Sequence, residues 1–318
     1  MALSTINTNS IADDAITVPK VTDQVLTHRN LIINGAMQVA QRGTSFTDAD
    51  TYSLDRWRLN QSSETMAVTQ QSFTAGQTDV PTAEKYLRVV ITTTGNFAGI
   101  TQRIEGVEQL SGQTVTVSFY ARGGQGGQGV PTTFRTYLNQ NFGSGGSTAV
   151  TGQGSTNHTL TTSWQLFTAT VTLGSTSGKT IGTSSYTELT FQQTTGEACD
   201  FDIALVQLEV GDTATPFEHR SYGDELARCQ RYYGKYYLHK GNEYMTHGSN
   251  IPLSSNFSFP TRMRATPSSS HVQNINATNC NSSSITFVDF DGASYEVNMS
   301  VASGTISRRD IYAFDAEL

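Results

Sequence analysis

Alternation at period two, interrupted by glycine, constrains this chain more than any other feature. In "QTVTVSFYAR" Val115, Val117 and Phe119 alternate with Thr114, Thr116 and Ser118. An extended backbone therefore carries one apolar face and one wet face there. "KYLRVVITTTG" sets Leu87, Val89 and Ile91 against Tyr86, Arg88 and Val90, and "WQLFTATVTLG" gathers Phe167, Ala169, Val171 and Leu173 on one side. "FDIALVQLEVG" is apolar on both faces through Leu208, as a central strand covered on each side would be. Between these runs lie "RGGQGGQGVP" and "FGSGGSTAVTGQGS", which cannot form elements themselves and read as flexible loops. Many short strands separated in this way give a mainly β chain whose centre is an antiparallel β-sandwich.

Composition agrees. Only 15% of the residues are charged and 36% are hydrophobic, while 13 Tyr and 15 Phe supply rings. Such a chain is not a charge-swollen disordered one. The net charge of −7 argues against a nucleic-acid partner, since phosphate binding needs a basic face. The two arginines of "SRRD" stand beside an aspartate and read as solvated surface. "MALSTINTNS" lacks the basic start and apolar core of a targeting signal, and no run approaches the roughly 20 apolar residues of a membrane span. Cys199, Cys229 and Cys280 have neither CxxC nor metal-ligand spacing. Assembly in a reducing cytoplasm, without membrane insertion, is the expectation.

Three zones follow. Residues 1–29 form a leader, 30–220 the sandwich, and 221–318 a helix followed by a smaller C-terminal β domain. In the leader Ile6, Ile11, Ile16, Val21 and Leu26 stand five apart. That spacing alternates faces on a strand and rotates by about 140° per step on a helix. Pro19 also opposes a continuous helix. A single extended copy cannot bury these side chains on itself. Several copies wound together, or one copy laid along another protein, would bury them for about 1.5–3 kcal/mol each, against the entropy of ordering. The leader is thus read as an oligomerisation and anchoring segment. After it comes the sandwich, and then "RSYGDELARCQRYYGKYYLHK". There Leu226, Cys229, Tyr232/Tyr233 and Tyr236/Tyr237 recur every three or four residues, with Ser221 and Asp224 placed as a capping box. A Tyr-faced helix is expected. In "SITFVDFDG" Ile285 and Phe287 begin an alternating strand that ends in a turn.

Several stretches, taken in order, resemble a known family. "NLIINGAMQVAQRGTSFT", "YSLDRWRL", "LSGQTVTVSFYAR" and "FDIALVQLEVGDTATPFEHRSYGDELARCQRYYGKYY" are similar to bacteriophage tail-fibre and related virion-appendage proteins. The central module of that family is similar to carbohydrate-binding jelly rolls. "NSIADDAITVPKV" resembles the shaft and anchor repeats of such fibres, and "FPTRMRATP" and "DAEL" resemble their C-terminal domain. The resemblance covers nearly the whole chain. It implies a homotrimeric fibre on the virion, attached to a tail or capsid protein by its N-terminus and adhering to a host surface polysaccharide. The same features would suit a fibre decorating the head. In related modules the segment matching "NGAMQ" carries an aromatic and an acid that help hold a structural calcium. Here Met37 and Gln38 stand in those places, which counts against the ion, and no cofactor is expected.

Catalysis has little support. Six histidines stand without a nucleophile elbow or a zinc spacing, and His239 and His247 flank Glu243 at the wrong spacing for HExxH, which suits a surface loop. The alternative of a glycan-degrading enzyme needs two carboxylates across a bond. Asp200/Asp202 and Asp289/Asp291 are spaced i, i+2 and share a strand face, which suits solvated strand ends or turns, with calcium binding an open alternative. "GGQGGQG" lacks the Lys-Ser/Thr of a phosphate loop. Sugar binding pairs an aromatic face with amide, guanidinium or carboxylate hydrogen bonds. "SFYARGG" and "TFRTYLNQNF" offer Tyr120, Arg122, Arg135, Tyr137 and Asn139 for that purpose, with Gln140 beside them. Trp57 and Trp164 are read as packing residues.

Overall fold

The computed structural model describes residues 28–47, 51–93, 95–245, 252–300 and 304–318. The leader positions Ile6, Ile11, Ile16, Val21 and Leu26 lie outside the described residues. The sandwich begins with strands β1 (Ser45–Phe46), β2 (Arg58–Ser62), β3 (Met66–Ser72), β4 (Lys85–Ile91), β5 (Phe97–Glu105) and β6 (Thr114–Gly123). It continues with β7 (Phe134–Asn141), β8 (Val150–His158), β9 (Gln165–Thr172), β10 (Tyr186–Gln193) and β11 (Cys199–Val210). One sheet runs β1-β3-β4-β11-β6-β9 and the other β2-β5-β10-β7-β8. Every pairing in them is antiparallel.

The apolar faces of the alternating runs turn inward as their pattern requires, but the other face of β6 is not wet, since Thr116 and Ser118 are buried too. Val115, Val117 and Phe119 of β6, Leu87, Val89 and Ile91 of β4, and Leu189 and Phe191 of β10 face one another in a single core with Trp57 and Phe134. Phe167, Ala169 and Val171 of β9 pack against its margin. β11 is the most buried strand: only its last residue, Val210, is exposed. Its register shifts between Ala204 and Gln207, and Leu205 sits at φ 48°. An aliphatic residue held in the left-handed region costs of order 1–3 kcal/mol. The shift reverses the alternation, so that Ile203 and Val206 both reach the core while Gln207 and Glu209 turn outward. There Gln207 and Glu209 fasten the segment after β11: Thr215 donates through its amide and hydroxyl to Glu209 (2.9 and 2.7 Å), and Glu218 donates its amide to Gln207 (2.8 Å). The chain also enters here. Leu31 N donates to Leu208 O (2.8 Å), and the amides of His28 and Asn30 donate to the Glu218 carboxylate (2.5 and 2.7 Å).

His158 closes one end of the core, against the rings of Phe119 and Phe167 at 5.3 and 5.2 Å, bonded to the Thr136 hydroxyl at 2.9 Å. Burial holds its imidazole below the ordinary value of 6.5. The stability it lends is complete above that value and is lost as pH falls through the folded value. The melting temperature should therefore drop from neutral to mildly acid pH, and drop less in His158→Gln; an equal drop in both would assign the effect to other groups such as His219.

A second unit follows. The helix α1 (Tyr222–Gln230) starts as expected, with the Ser221 hydroxyl accepting from the amide of Asp224 (3.2 Å). It is shorter than its tyrosines suggest. From Tyr233 the chain is a strand, because β-prone rings pair with a distant partner there. The strands are β12 (Tyr233–Met245), β13 (Pro252–Ser258), β14 (Ser268–Thr278), β15 (Cys280–Val288), β16 (Gly292–Met299) and β17 (Gly304–Asp315). They form two three-stranded sheets, β12-β17-β14 and β13-β16-β15, closed over Leu238, Phe259, Met263, Tyr295, Val297, Tyr312 and Phe314. Tyr236 packs among these rings while Tyr237 is 76% exposed, which is strand alternation and no helical face. His239 lies exposed on β12, not in a loop.

Two further expectations are corrected. "SRRD" is solvated surface only at Arg309: Arg308 is buried, and Asp310 is fully buried and accepts from Tyr295 Oη (2.5 Å), Arg308 Nε (2.7 Å), His271 Nε2 (2.9 Å) and Asn274 Nδ2 (3.0 Å). Phe287 does not follow Ile285 inward. A register shift between them turns its ring out to 59% exposure. Asp289, by contrast, is the turn residue expected, accepting from the amides of Asp291 and Gly292.

Candidate functional site

The outer face of the five-stranded sheet carries an ordered polar array. Since inward residues of β10 are Leu189 and Phe191, the strand sends Tyr186, Glu188, Thr190 and Gln192 outward. β5 contributes Thr101, Arg103 and Glu105 by the same rule, β7 contributes Arg135, Tyr137 and Asn139, and β2 contributes Arg58 and Asn60. Register aligns them in rows across the sheet. One row is Asn60, Gly99, Gln192, Arg135; the next is Arg58, Thr101, Thr190, Tyr137; the third is Arg103, Glu188, Asn139. On the two central strands Gly99, Thr101 and Thr190 are small and buried, while Gln192, Glu188 and Arg103 of the same strands are long, so the trough of this face is a low band covered in part by its own side chains. Its floor admits nothing larger at Gly99, where a Cβ would lie 1.9 Å from the carbonyl oxygen of Phe191.

The walls are held in place by each other. Tyr137 Oη donates to Gln192 Oε1 (2.6 Å), Asn139 Nδ2 to Glu188 Oε1 (3.1 Å), and Arg103 Nε to Glu188 Oε2 (3.0 Å). The Arg135 guanidinium lies 5.0 Å over the Tyr137 ring and that of Arg103 4.3 Å over Tyr186. Burial pushes both phenols above their ordinary value, so they stay protonated donors. On the floor the Thr101 hydroxyl is buried with no hydrogen-bond partner. At one end Glu105 is held by Arg231 (3.0 and 2.9 Å) and Tyr232 Oη (2.5 Å). Burial works to raise its carboxyl, but these bonds outweigh it and leave Glu105 below its ordinary value. Rings beside guanidinium, amide and carboxylate groups suit a polyhydroxylated ligand, whose C–H faces stack and whose hydroxyls both donate and accept.

The structure brings together only three of the five residues named from sequence. Tyr120 and Arg122 lie on β6, whose outer face is that of the other sheet, so the whole core separates them from Arg135, Tyr137 and Asn139. Arg122 is a packing residue. It donates to Asp202 (2.9 Å), lies 4.7 Å over the Trp164 ring, and shares Asp202 with Arg88 (2.7 and 2.9 Å). Tyr120 lines a cavity of about 360 Å³ with Ser118, Leu166, Leu205 and Phe217. Arg58, Thr101, Arg103, Tyr186, Glu188 and Gln192 were missed. The alternation of "YTELTFQQ" is the signal that would have found the β10 members.

Asp200 and Asp202 are not solvated strand ends; both are fully buried. Asp200 organises the glycine-rich loop, accepting from the amides of Gln125 (2.6 Å), Gln128 (2.8 Å) and Gly129 (3.2 Å). At Gly126 a Cβ would lie 2.7 Å from Val90 and 2.9 Å from Asp200, so the loop wraps a carboxylate and is not free. The residues at the calcium position of related modules do not fit that ion. Met37 is buried in the core, and the neighbouring Asp55 carboxylate accepts from Gln41 through both oxygens (2.7 and 2.6 Å). Among the described residues no group of three or more His, Cys, Asp and Glu is placed to hold a metal. Trp57 is fully buried, as read, and donates Nε1 to Asn34 O (3.1 Å).

No protein-family model matches the sequence, and no curated protein matches it. Solved structures give remote likenesses. The enzymatically active domain of tailspike protein 4 from bacteriophage CBA120 is 16% identical over 57% of this chain, with a TM-score of 0.37, and the match spans 21% of the tailspike chain. The CBM22-1 xylan-binding domain of Paenibacillus barcinonensis Xyn10C is 14% identical over 54% of this chain and 94% of its own, with a TM-score of 0.36. The Stig cyclase Fisc of Fischerella sp. TAU is 13% identical over 58% of this chain and 98% of its own, with a TM-score of 0.39. Likenesses of this size carry no conclusion about what this chain binds.

Proposed function

We propose that this chain is a bacteriophage fibre protein of the virion tail that adheres to a host-surface polysaccharide through the trough of the five-stranded sheet. The observation that carries the reading is the rows of Arg58, Arg103, Arg135, Tyr137, Asn139, Glu188 and Gln192 over a floor of Gly99, Thr101 and Thr190. The leader, with Ile6, Ile11, Ile16, Val21 and Leu26, joins three copies and docks them on the particle. Three weak sites on one fibre then act together, raising avidity without new contacts. The role is adhesion without turnover: the two acids of the trough's strands, Glu105 and Glu188, each face an arginine, whereas a glycosidase keeps one carboxyl protonated.

Binding of the full-length protein to a glycan array and to isolated host polysaccharide tests this. Tyr137→Ala and Asn139→Ala are each expected to weaken binding at least tenfold per site, about 1.4 kcal/mol, and to lower melting only modestly through the one bond each loses to its neighbour. Tyr120→Ala, on the opposite exterior, is expected to bind as the parent does. Equal binding by the parent and both trough variants would overturn the assignment of the site, and a blank array with cleaved polysaccharide would replace adhesion by catalysis.

A further inference from the structure

The outer face of the sheet β1-β3-β4-β11-β6-β9 holds a cavity to which adhesion through the trough gives no role. Three strands make its floor. Register sets Leu166 of β9, Tyr120 of β6 and Ala204 of β11 in one row, with Thr168, Ser118 and Gln207 in the next. The register shift after Ala204 brings Leu205 to the same side, away from the sandwich core, in an outer cluster with Ala204, Tyr86 and Val80. The segment after β11 supplies the other wall through Ala214, Pro216 and Phe217, and the space enclosed is about 360 Å³. That wall is fixed in advance. Thr215 is bonded to Glu209 through its amide (2.9 Å) and hydroxyl (2.7 Å), and the carbonyl oxygen of Pro216 accepts from Arg29.

We propose that this cavity binds an uncharged molecule of one or two rings, apolar over most of its surface and carrying a hydroxyl or carbonyl that meets Ser118. The lining selects that class. It contains no charged side chain, so an entering ion would lose its hydration without gaining a counter-charge. Leu166, 57% exposed, lies open to solvent beside Tyr120 and offers apolar surface to cover. Ser118 and Tyr120 bring hydroxyls, and neither makes a side-chain hydrogen bond to any described residue, although Ser118 is only 7% exposed. Water in the cavity finds few polar side chains to hold it, and an apolar group that displaces loosely held water gains affinity. An apolar cavity of about 150 Å³ holds a benzene ring, so about 360 Å³ suits two fused rings or one ring with a short substituent. The whole core separates this cavity from the trough, and the proposal does not depend on the polysaccharide reading.

The test uses the full chain and two compounds at neutral pH: 2-naphthol, with two fused rings and one hydroxyl, and its anionic counterpart 2-naphthoate. Titration calorimetry is expected to give one 2-naphthol per chain with a dissociation constant below about 1 mM. 2-Naphthoate is expected to bind more weakly, by about tenfold or more. Leu166→Glu changes an exposed residue, so it should melt as the parent does while weakening 2-naphthol by about tenfold or more. Ser118→Ala removes no bond within the protein and should weaken 2-naphthol by about two- to tenfold. Absence of saturable binding, equal affinity for the two compounds, or equal affinity in the parent and Leu166→Glu would overturn the proposal. None of those results alters binding of polysaccharide at the trough, so the two readings fail separately.

Discussion

Arg56→Met is expected to separate the unfolding of the chain into two transitions. Arg56 is 1% exposed, ion-paired with Glu317, bonded to the carbonyl oxygen of Arg103, and stacked 3.5 Å over the Tyr232 ring. Arg42 adds bonds to Asp315 (3.0 Å) and Glu317 (3.2 Å), and Arg264 donates to the main chain of Ala316 (2.8 Å) and Glu317 (3.0 Å). The segments "FPTRMRATP" and "DAEL", far apart in sequence, thus meet where the second unit seats on the sandwich. Breaking one partner of a buried ion pair costs about 3–5 kcal/mol where the other charge is left without compensation, and less here because Arg42 stays on Glu317. The methionine keeps most of the stacking volume and removes the charge. Calorimetry should show the smaller unit melting first, with the sandwich near its original temperature. A single transition at the parent temperature would mean that Arg42 and Arg264 hold the tail unaided.

Asp310→Ala should cost roughly 3–5 kcal/mol, confined to the smaller unit. It removes one acceptor from Tyr295, Arg308, His271 and Asn274 at once and leaves Arg308, itself 8% exposed, without its counter-charge. Burial alone would raise the Asp310 carboxyl. The bonds from Arg308, Tyr295 and His271 outweigh it and hold the group far below its ordinary 3.8. Its stabilising contribution is therefore complete above that ordinary value and fades only as pH falls below it. The parent should lose stability in the smaller unit on strong acidification, and Asp310→Ala should show less of that slope. Near-ultraviolet circular dichroism of its clustered tyrosines reads both effects.

What could be read in the sequence was set by distance along the chain. The alternating runs of β4, β6 and β9 are local; β4 and β6 buried the face they advertised, and β9 half-buried its own. Arg135, Tyr137 and Asn139 were named as guanidinium, ring and amide groups beside the glycine-rich loop, and alternation puts them on one face of β7. Their neighbours were not, because Arg103, Glu188 and Gln192 join them only through the register of β5 against β10 and β10 against β7. Tyr120 and Arg122 lie close in sequence to Arg135. Between β6 and β7, however, the chain crosses from one sheet to the other, and nearness along the chain became opposite exteriors. Asp202 looks solvated in "CDFDIAL" because its arginines arrive from β4 and β6. "SRRD" is different. Arg308 and Asp310 share their strand face with Tyr312 and Phe314, both buried, so period two already held the answer. In "YYGKYY" two spacings competed, and pairing of β12 with β17 decided for the strand.

The way the chain enters the sandwich has a mechanical side. Residues 28–31 are tied to Glu218 and to Leu208, alongside the central strand β11 and not at a margin of the sheet. A pull applied at His28 would therefore meet Glu218 and the bond to Leu208 first, beside the middle of the sheet, before any outer strand.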